Sequence, residues 1–203
     1  CFRKNFNMQD TLVIIPTYNE KENIEKIIRT TFSQKKAFDI LVVDDKSPDG
    51  TALIVENLRQ EFPKSLYIEN RKDKKGLGAA YIHGFKWALA RKYEFIIEMD
   101  ADFSHNPADL EQLYEACAHE GADLSIGSRY SRGVNVVNWP MSRILLSFFA
   151  SKYVRFVTGL PVHDTTAGFV CYKRKVLETI NIDKIQFVGY ACHIEMKFKA
   201  WKH

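Results

Sequence analysis

Two aspartates one residue apart, Asp100 and Asp102, follow the apolar run Phe95-Ile96-Ile97. A carboxylate at the end of a buried strand is costly to desolvate without a positive partner. Along a strand, residues two apart point the same way, so both carboxylates are expected to face one cation. Hard divalent ions such as Mg²⁺ take oxygen ligands, usually one or two carboxylates plus substrate phosphates. Alone, D-x-D is a common pattern, and two solvated acids ahead of a helix opening at Asn106 would explain it equally well.

Other chemistry-bearing residues fall at comparable places. Asp44 and Asp45 end the apolar run 39–45 and precede a turn rich in Pro, Asp and Gly. At that place in a nucleotide-binding α/β sheet, one acid commonly contacts ribose or base; a helix N-terminal acid is the plainer alternative. KKGLGAA combines Lys75, Gly76 and a helix start, which suits an anion. It matches neither the dinucleotide fingerprint nor the P-loop, so a dehydrogenase and a P-loop kinase are disfavoured. Arg129, in GSRYSRG, and Arg143 offer guanidinium forks that suit phosphate oxygens; Arg132 reads as surface charge. The histidines form no metal-ligand spacing. His105 is placed at a turn or near the metal, and His83 and His193 inside helices as structural residues.

Alternating elements must position these groups. TLVIIP (11–16) reads as a strand ended by Pro16, and Ile24, Ile27, Ile28 and Phe32 follow at helical spacing. Asn19 with Glu22 resembles a capping box for that helix. DILVVDD (39–45), SLYIEN (65–70), EFIIEM (94–99) and DLSIG (123–127) read as further strands with helices between them. Asn106-Pro107 opens the helix that carries Leu110, Leu113 and Cys117. Strands this uniformly apolar predict an α/β fold: a mostly parallel sheet covered by helices on both faces. Ligands in such folds bind beyond the carboxyl ends of the strands. Tyr18, Asp44, Asp45, residues 76–78, Asp100, Asp102 and Arg129 are thereby placed on one rim. Beyond residue 130 the rhythm changes: 142–160 predicts an aromatic-rich helix, 165–172 one more strand, and 189–202 a last helix.

The bulk properties fit. The chain has 203 residues, 29 Lys and Arg, 25 Asp and Glu and a net charge of +4. That mild charge suits anionic substrates or a membrane surface and does not point to nucleic acid. The four cysteines lack metal-finger spacing and read as reduced thiols of a cytosolic protein. No apolar run approaches the ~20 residues of a spanning helix. Residues 1–7 precede Met8 and read as an N-terminal extension or cloning remnant, leaving 8–203 as a single domain.

LVIIPTYNEKENI, ILVVDDKSPDGTA, KKGLGAAY, MDADFSHNP, GSRY and DTTAGF occur in the order found in family 2 glycosyltransferases. Over about residues 11–200 the chain resembles the dolichol- or polyprenol-phosphate mannose synthase branch. The resemblance implies a GT-A fold and inverting transfer of mannose from GDP-mannose to a polyprenyl phosphate, at the cytosolic face of a membrane. UDP-glucose as donor, or nucleotide-sugar binding without turnover, are the alternatives. By position, Pro16, Tyr18 and Glu20 would line a guanosine pocket with Asp44 or Asp45. Asp100 and Asp102 would hold Mg²⁺ or Mn²⁺, with Ser104 where some relatives place a glutamine ligand. Arg129 and Arg143 would grip donor and acceptor phosphates. Val170 follows Phe169 where relatives often carry arginine. The chain ends at His203, before the basic R-x-x-G-x-S-K segment typical of relatives, so the domain is expected to be truncated there.

The acceptor shapes the expected mechanism. A phosphate monoester has its second pKa near ~6, so its attacking oxygen is anionic at neutral pH. No dedicated general base is expected, and Glu195 is only a weak candidate. The apolar stretch 144–157, with Arg143, Lys152 and Arg155, either packs on the sheet or rests on a membrane surface.

Overall fold

The central strand β1 (Thr11–Thr17) is buried along its whole length. It pairs in parallel with β2 (Asp39–Asp44) on one side and β4 (Phe95–Glu98) on the other. The computed structural model describes residues 9–72, 76–129, 141–187 and 189–203, without the side chains of Arg143 and Tyr190. β3 (Leu66–Asn70) extends the sheet beyond β2. β5 (Leu124–Ile126) lies at the opposite edge, and β6 (Val170–Lys173) runs antiparallel between β4 and β5. The six-stranded order is β3-β2-β1-β4-β6-β5. The mostly parallel expectation holds, with one antiparallel insertion.

Pro16 does not end β1, because pairing with β4 stops at Ile14. Beyond that point β1 has a neighbour only on the β2 side, so a residue without an N–H breaks no ladder toward β4.

Strand side chains alternate between two apolar layers. Val13, Ile15, Ile40, Val42 and Ile97 meet α1 (Ile24–Phe32), α2 (Thr51–Glu61) and α4 (Leu110–Ala118). Leu12, Ile14, Leu41, Val43 and Ile96 meet α3 (Leu77–Leu89), α6 (Arg174–Thr179) and α7 (Tyr190–Lys202). Between β5 and β6 runs α5 (Met141–Thr158). Among the described residues, none of its side chains belongs to either layer.

Two local expectations fall out differently. The capping box at Asn19 and Glu22 does not form: Asn19 adopts φ 62° and its N–H bonds Ser47 Oγ at 3.0 Å. A turn therefore occupies residues 21–23, and α1 begins at Ile24. The cap at Asn106 does form, its Oδ1 accepting from the Ala108 N–H at 3.1 Å. α6, too short for a periodic signal, was not expected.

Gly84 marks where α3 crosses β1, for a Cβ there would stand 2.7 Å from Ile14 Cγ2. Alanine gains about 1 kcal/mol of helix propensity over glycine, but overpacking a tight core costs about 1–3 kcal/mol. Gly84→Ala is expected to lower stability in denaturant melts. Ile14→Ala, which removes Cγ2, should then cost less in that background than in the wild type, since it relieves the same crowding.

Candidate active site

β4 stops at Glu98, so Asp100 and Asp102 lie beyond the strand. Strand alternation therefore does not align them. They lie in a turn with Phe103 at φ 59°, and the charges of both act on His105 and Glu20. Asp100 is fixed from two directions. Its Oδ1 accepts from the Tyr81 hydroxyl at 2.8 Å, and its backbone N–H donates to His105 Nδ1 at 3.0 Å. That bond places the His105 proton on Nε2, 3.9 Å from Asp100 Oδ2. Burial pushes His105 below its usual value, against the opposing pull of Asp100 and Asp102. Burial, then the charge of Asp100, pushes the Tyr81 phenol well up, so it remains a donor. Asp102 is exposed and accepts from the Ser104 N–H at 2.9 Å. The contact that Ser104 makes to Asp102 is thus through its backbone.

The loops after β1 and β2 are stitched together beside this turn. Lys21 N–H donates to Asp49 Oδ2 at 3.1 Å, and Glu20 N–H to Thr51 Oγ1 at 3.0 Å. Burial raises the Glu20 carboxyl, and the charges of Asp102, Asp100 and Asp49 raise it further, against a hydrogen bond from Asn23. Glu20 therefore shares the electrostatic field of the D-x-D pair. Asp44 accepts from Thr17 Oγ1 at 2.8 Å, Ser47 N at 2.8 Å and Ser47 Oγ at 2.6 Å. Asp45 lies 3.2 Å from Arg71 Nε, close enough for an ion pair but not aligned as a hydrogen bond. Pro16 is buried, while Tyr18 is exposed. Gly76 precedes α3 at φ 88°, and Lys75 lies outside the described residues.

Because β6 runs antiparallel, its beginning meets the ends of the parallel strands, and residues 164–169 join the rim. There Asp164, buried, clasps Arg129. Its Oδ2 accepts from Arg129 Nε at 2.8 Å and from the Arg129 N–H at 3.0 Å. Its Oδ1 accepts from Nη2, which also reaches Thr166 Oγ1 at 2.6 Å. The Arg143 backbone lies in α5, and its side chain is outside the described residues. Glu195 is committed elsewhere: Oε2 accepts from the N–H groups of Gln186 and Phe187, and Oε1 pairs with Lys199 at 2.8 Å. It is placed to hold a loop.

Several participants were missed by sequence reasoning. Asp164 had a signal, the DTTAGF motif ahead of the last strand. Tyr81, Glu98, His193 and Lys197 had none, since only the packing of α3 and α7 on the sheet brings them together. Lys197 is buried and donates to the Ala167 carbonyl at 2.6 Å and the Thr165 carbonyl at 3.2 Å. Burial pushes its pKa down to about 8. His193 Nδ1 lies 3.3 Å from the buried Glu98 Oε2, and its ring meets Tyr81 edge-on at 5.5 Å.

Residues 12–180 match the profile of Glycosyl transferase family 2. The chain belongs to this family. It is 46% identical over 192 residues to a polyprenol monophosphomannose synthase of Mycolicibacterium smegmatis, covering 95% of this chain and 72% of that protein. It is 44% identical over 189 residues to an undecaprenyl-phosphate mannosyltransferase of Micrococcus luteus, covering 93% of this chain and 76% of that protein. A mannosyltransferase from Pyrobaculum calidifontis, solved in complex with GDP-Man and Mn2+, superposes with TM-score 0.59 at 18% identity. That match covers 87% of this chain and 48% of the solved one, and it shows the shared GT-A fold.

In this family 2 chain the D-x-D donor set can be tested against a hard divalent ion. Among the described residues, no group of three or more His, Cys, Asp or Glu side chains forms a metal site. One oxygen of Asp100 and one of Asp102 is held by the protein. The remaining pair of oxygens fits Mg²⁺ or Mn²⁺, which complete their shells with water and phosphate oxygens.

The Arg129–Asp164 clasp carries a pH signature. Burial alone would raise the Asp164 carboxyl, but the hydrogen bonds and charge of Arg129 outweigh it and hold it below the ordinary 3.8. The pair therefore stabilises the fold at pH above the unfolded value, and that stability is lost as pH falls through the folded value. Asp164→Asn, which strands a part-buried guanidinium, is expected to cost up to about 3 kcal/mol at pH 7, the low end for a buried pair. In denaturant melts its deficit against the wild type should shrink at pH 3.

Proposed function

We propose that this chain transfers mannose from GDP-mannose to a polyprenyl phosphate, with inversion at the anomeric carbon, at the carboxyl edge of its sheet. The observation that carries the reading is 46% identity across 95% of the chain to a polyprenol monophosphomannose synthase. Paired carboxylates and a clasped arginine on that edge agree with it. Tyr18 and Glu20 border the nucleoside, behind which Pro16 is buried in β1. Asp44, with its oxygens committed to Thr17 and Ser47, shapes the loop, and Asp45 is assigned to the nucleoside. Gly76 and the start of α3 are assigned to the diphosphate, and Lys75, next to them in sequence, is assigned with them. Asp100 and Asp102, with Ser104 beside them, would hold Mg²⁺ or Mn²⁺, which neutralises charge on the departing diphosphate.

The acceptor oxygen is already anionic near neutral pH, so the chain's task is placement. Asp164 and Thr166 take Arg129 Nε and Nη2, which fixes the plane of the guanidinium at the rim. Arg143 is assigned to the phosphate of the acceptor. Asp102, Arg129 and Arg143 are the residues assigned to the reacting groups. Isothermal titration with GDP-mannose, GDP and UDP-glucose, first with Mn²⁺ and then with EDTA, tests the donor. Metal-dependent binding of the GDP ligands alone is expected. A preference for UDP-glucose would keep the fold and change the donor.

A lipid acceptor would sit in a membrane, and the chain is assigned peripherally to its cytosolic face. No described helix is long and apolar enough to cross a bilayer. On α5, Leu145, Leu146, Phe149, Tyr153, Phe156 and Val157 are all exposed, Phe156 to 89%. At helical spacing they share one face, while Ser151 is buried on the other. Lys152 and Arg155 flank the apolar face, the arrangement of an interfacial helix. Vesicles with anionic lipid are expected to slow hydrogen exchange across 145–157. Phe149→Asp with Phe156→Asp should weaken vesicle binding about tenfold or more, since each aromatic contributes roughly 1.5–3 kcal/mol on burial.

A further inference from the structure

The α3 helix does two things at once. Its first turn follows Gly76 at the rim, and one turn further on its Tyr81 hydroxyl donates to Asp100 Oδ1 at 2.8 Å. Tyr81 is fully buried, so the phenol has no freedom to swing away. It is wedged by its neighbours. Phe85 stacks on one side at 6.4 Å and His193 of α7 meets the ring edge at 5.5 Å. The close approach of α7 is possible because residue 78 is glycine, where a Cβ would stand 2.8 Å from Cys192 Cβ. On its other side, Asp100 is held by its backbone N–H to His105 Nδ1, and the His105 ring stacks on Phe169 at 4.9 Å.

With Oδ1 taken by Tyr81, Asp100 has Oδ2 to offer a cation. A hydrogen bond of this kind orients a ligating carboxylate, and losing such a partner typically costs 10–100-fold in metal affinity. We infer that Tyr81 is a positioning residue for the divalent cation: it fixes Asp100 as a one-oxygen ligand in register with the start of α3, so that cation and diphosphate are held by a single rigid element. This inference rests on the reading of Asp100 and Asp102 as the cation site. It assigns Tyr81 no contact with substrate.

Removing one hydroxyl tests it. Tyr81→Phe keeps the ring, the stacking and the burial and deletes only the donor. Mn²⁺ binding to the GDP-saturated protein is read by electron paramagnetic resonance, and GDP binding in EDTA by calorimetry. The expected result is Mn²⁺ affinity about tenfold weaker in Tyr81→Phe, with GDP affinity in EDTA and the thermal midpoint close to wild type. In an Asp100→Asn background, Tyr81→Phe should bring no further loss, because the oxygen it orients is already altered. Unchanged Mn²⁺ affinity in Tyr81→Phe overturns the inference and leaves the cation site standing. Equal losses of Mn²⁺ and metal-free GDP binding also overturn it, making Tyr81 a support of the fold alone. A wild type that binds GDP and takes up no Mn²⁺ overturns the cation site and the inference together.

Discussion

Negative charge gathered at the end of a buried sheet is the constraint around which this rim is built. Glu20, Asp44, Asp45, Asp100, Asp102 and Asp164 all lie at or just past the carboxyl ends of the parallel strands or at the entry to β6. Each must be compensated, since an uncompensated carboxylate at a low-dielectric edge protonates or destabilises the fold. The compensation differs by residue. Asp44 is satisfied by hydroxyl and N–H donors, Asp45 by Arg71 and Asp164 by Arg129. Glu20 responds by a raised carboxyl. Asp100 and Asp102 receive one protein hydrogen bond each, among the described residues, to Oδ1. Asp44 and Asp164, engaged by several hydrogen bonds, shape loops. The D-x-D pair keeps oxygens available for a cation.

The antiparallel β6 matters for the same reason. A sixth parallel strand would have carried its preceding loop to the far edge of the sheet. Running the other way, β6 brings residues 164–169 to the rim, where Asp164 can close on Arg129 beyond β5. Lys197 then holds this segment from behind through the Thr165 and Ala167 carbonyls. A buried ammonium bonded to carbonyls alone is costly, which is consistent with its pKa falling to about 8. The nearby charges of Glu98 and Asp164 offset part of that cost. The last helix is thereby tied to the rim by Lys197, and to the D-x-D turn through His193 and Tyr81.

What could be read in advance follows physical range. Burial on both faces writes itself into a strand as an unbroken apolar run, so β1, β2 and β4 were legible, and with them the edge where the acids gather. Pairing direction is not written in composition, and the antiparallel course of β6 emerged only from the fold. Short-range hydrogen bonds were partly legible. Asn106 caps as its neighbour Pro107 suggests, whereas Asn19 was diverted to Ser47 across a loop contact 28 residues away. The D-x-D spacing was noticed for a strand geometry it does not have; the two acids lie in a turn and share Glu20 and His105 as neighbours. Tyr81 and Lys197 carry no local mark, because an apolar-looking helix position becomes polar machinery only when another element packs against it.

The charge balance of the proposed reaction narrows the division of labour. Donor diphosphate and acceptor phosphate must be brought against one sugar despite their mutual repulsion. Arg129 and Asp164 cancel as a pair, and a divalent cation cancels against Asp100 and Asp102. Neither assembly therefore adds net positive charge to the rim, though both direct charge at particular atoms. Net attraction has to come from other parts of the chain. In chain order the sequence carries basic residues next to these elements, Lys74 and Lys75 ahead of α3 and Arg143 in the first turn of α5, and the whole chain carries +4. On the proposed reading the fixed groups of the sheet edge set geometry, and the basic residues of the chain set attraction. On that reading the clasped Arg129 and the second arginine, Arg143, take different parts. One is immobilised by its own carboxylate, and the other has its backbone on α5, the helix with the exposed aromatic face.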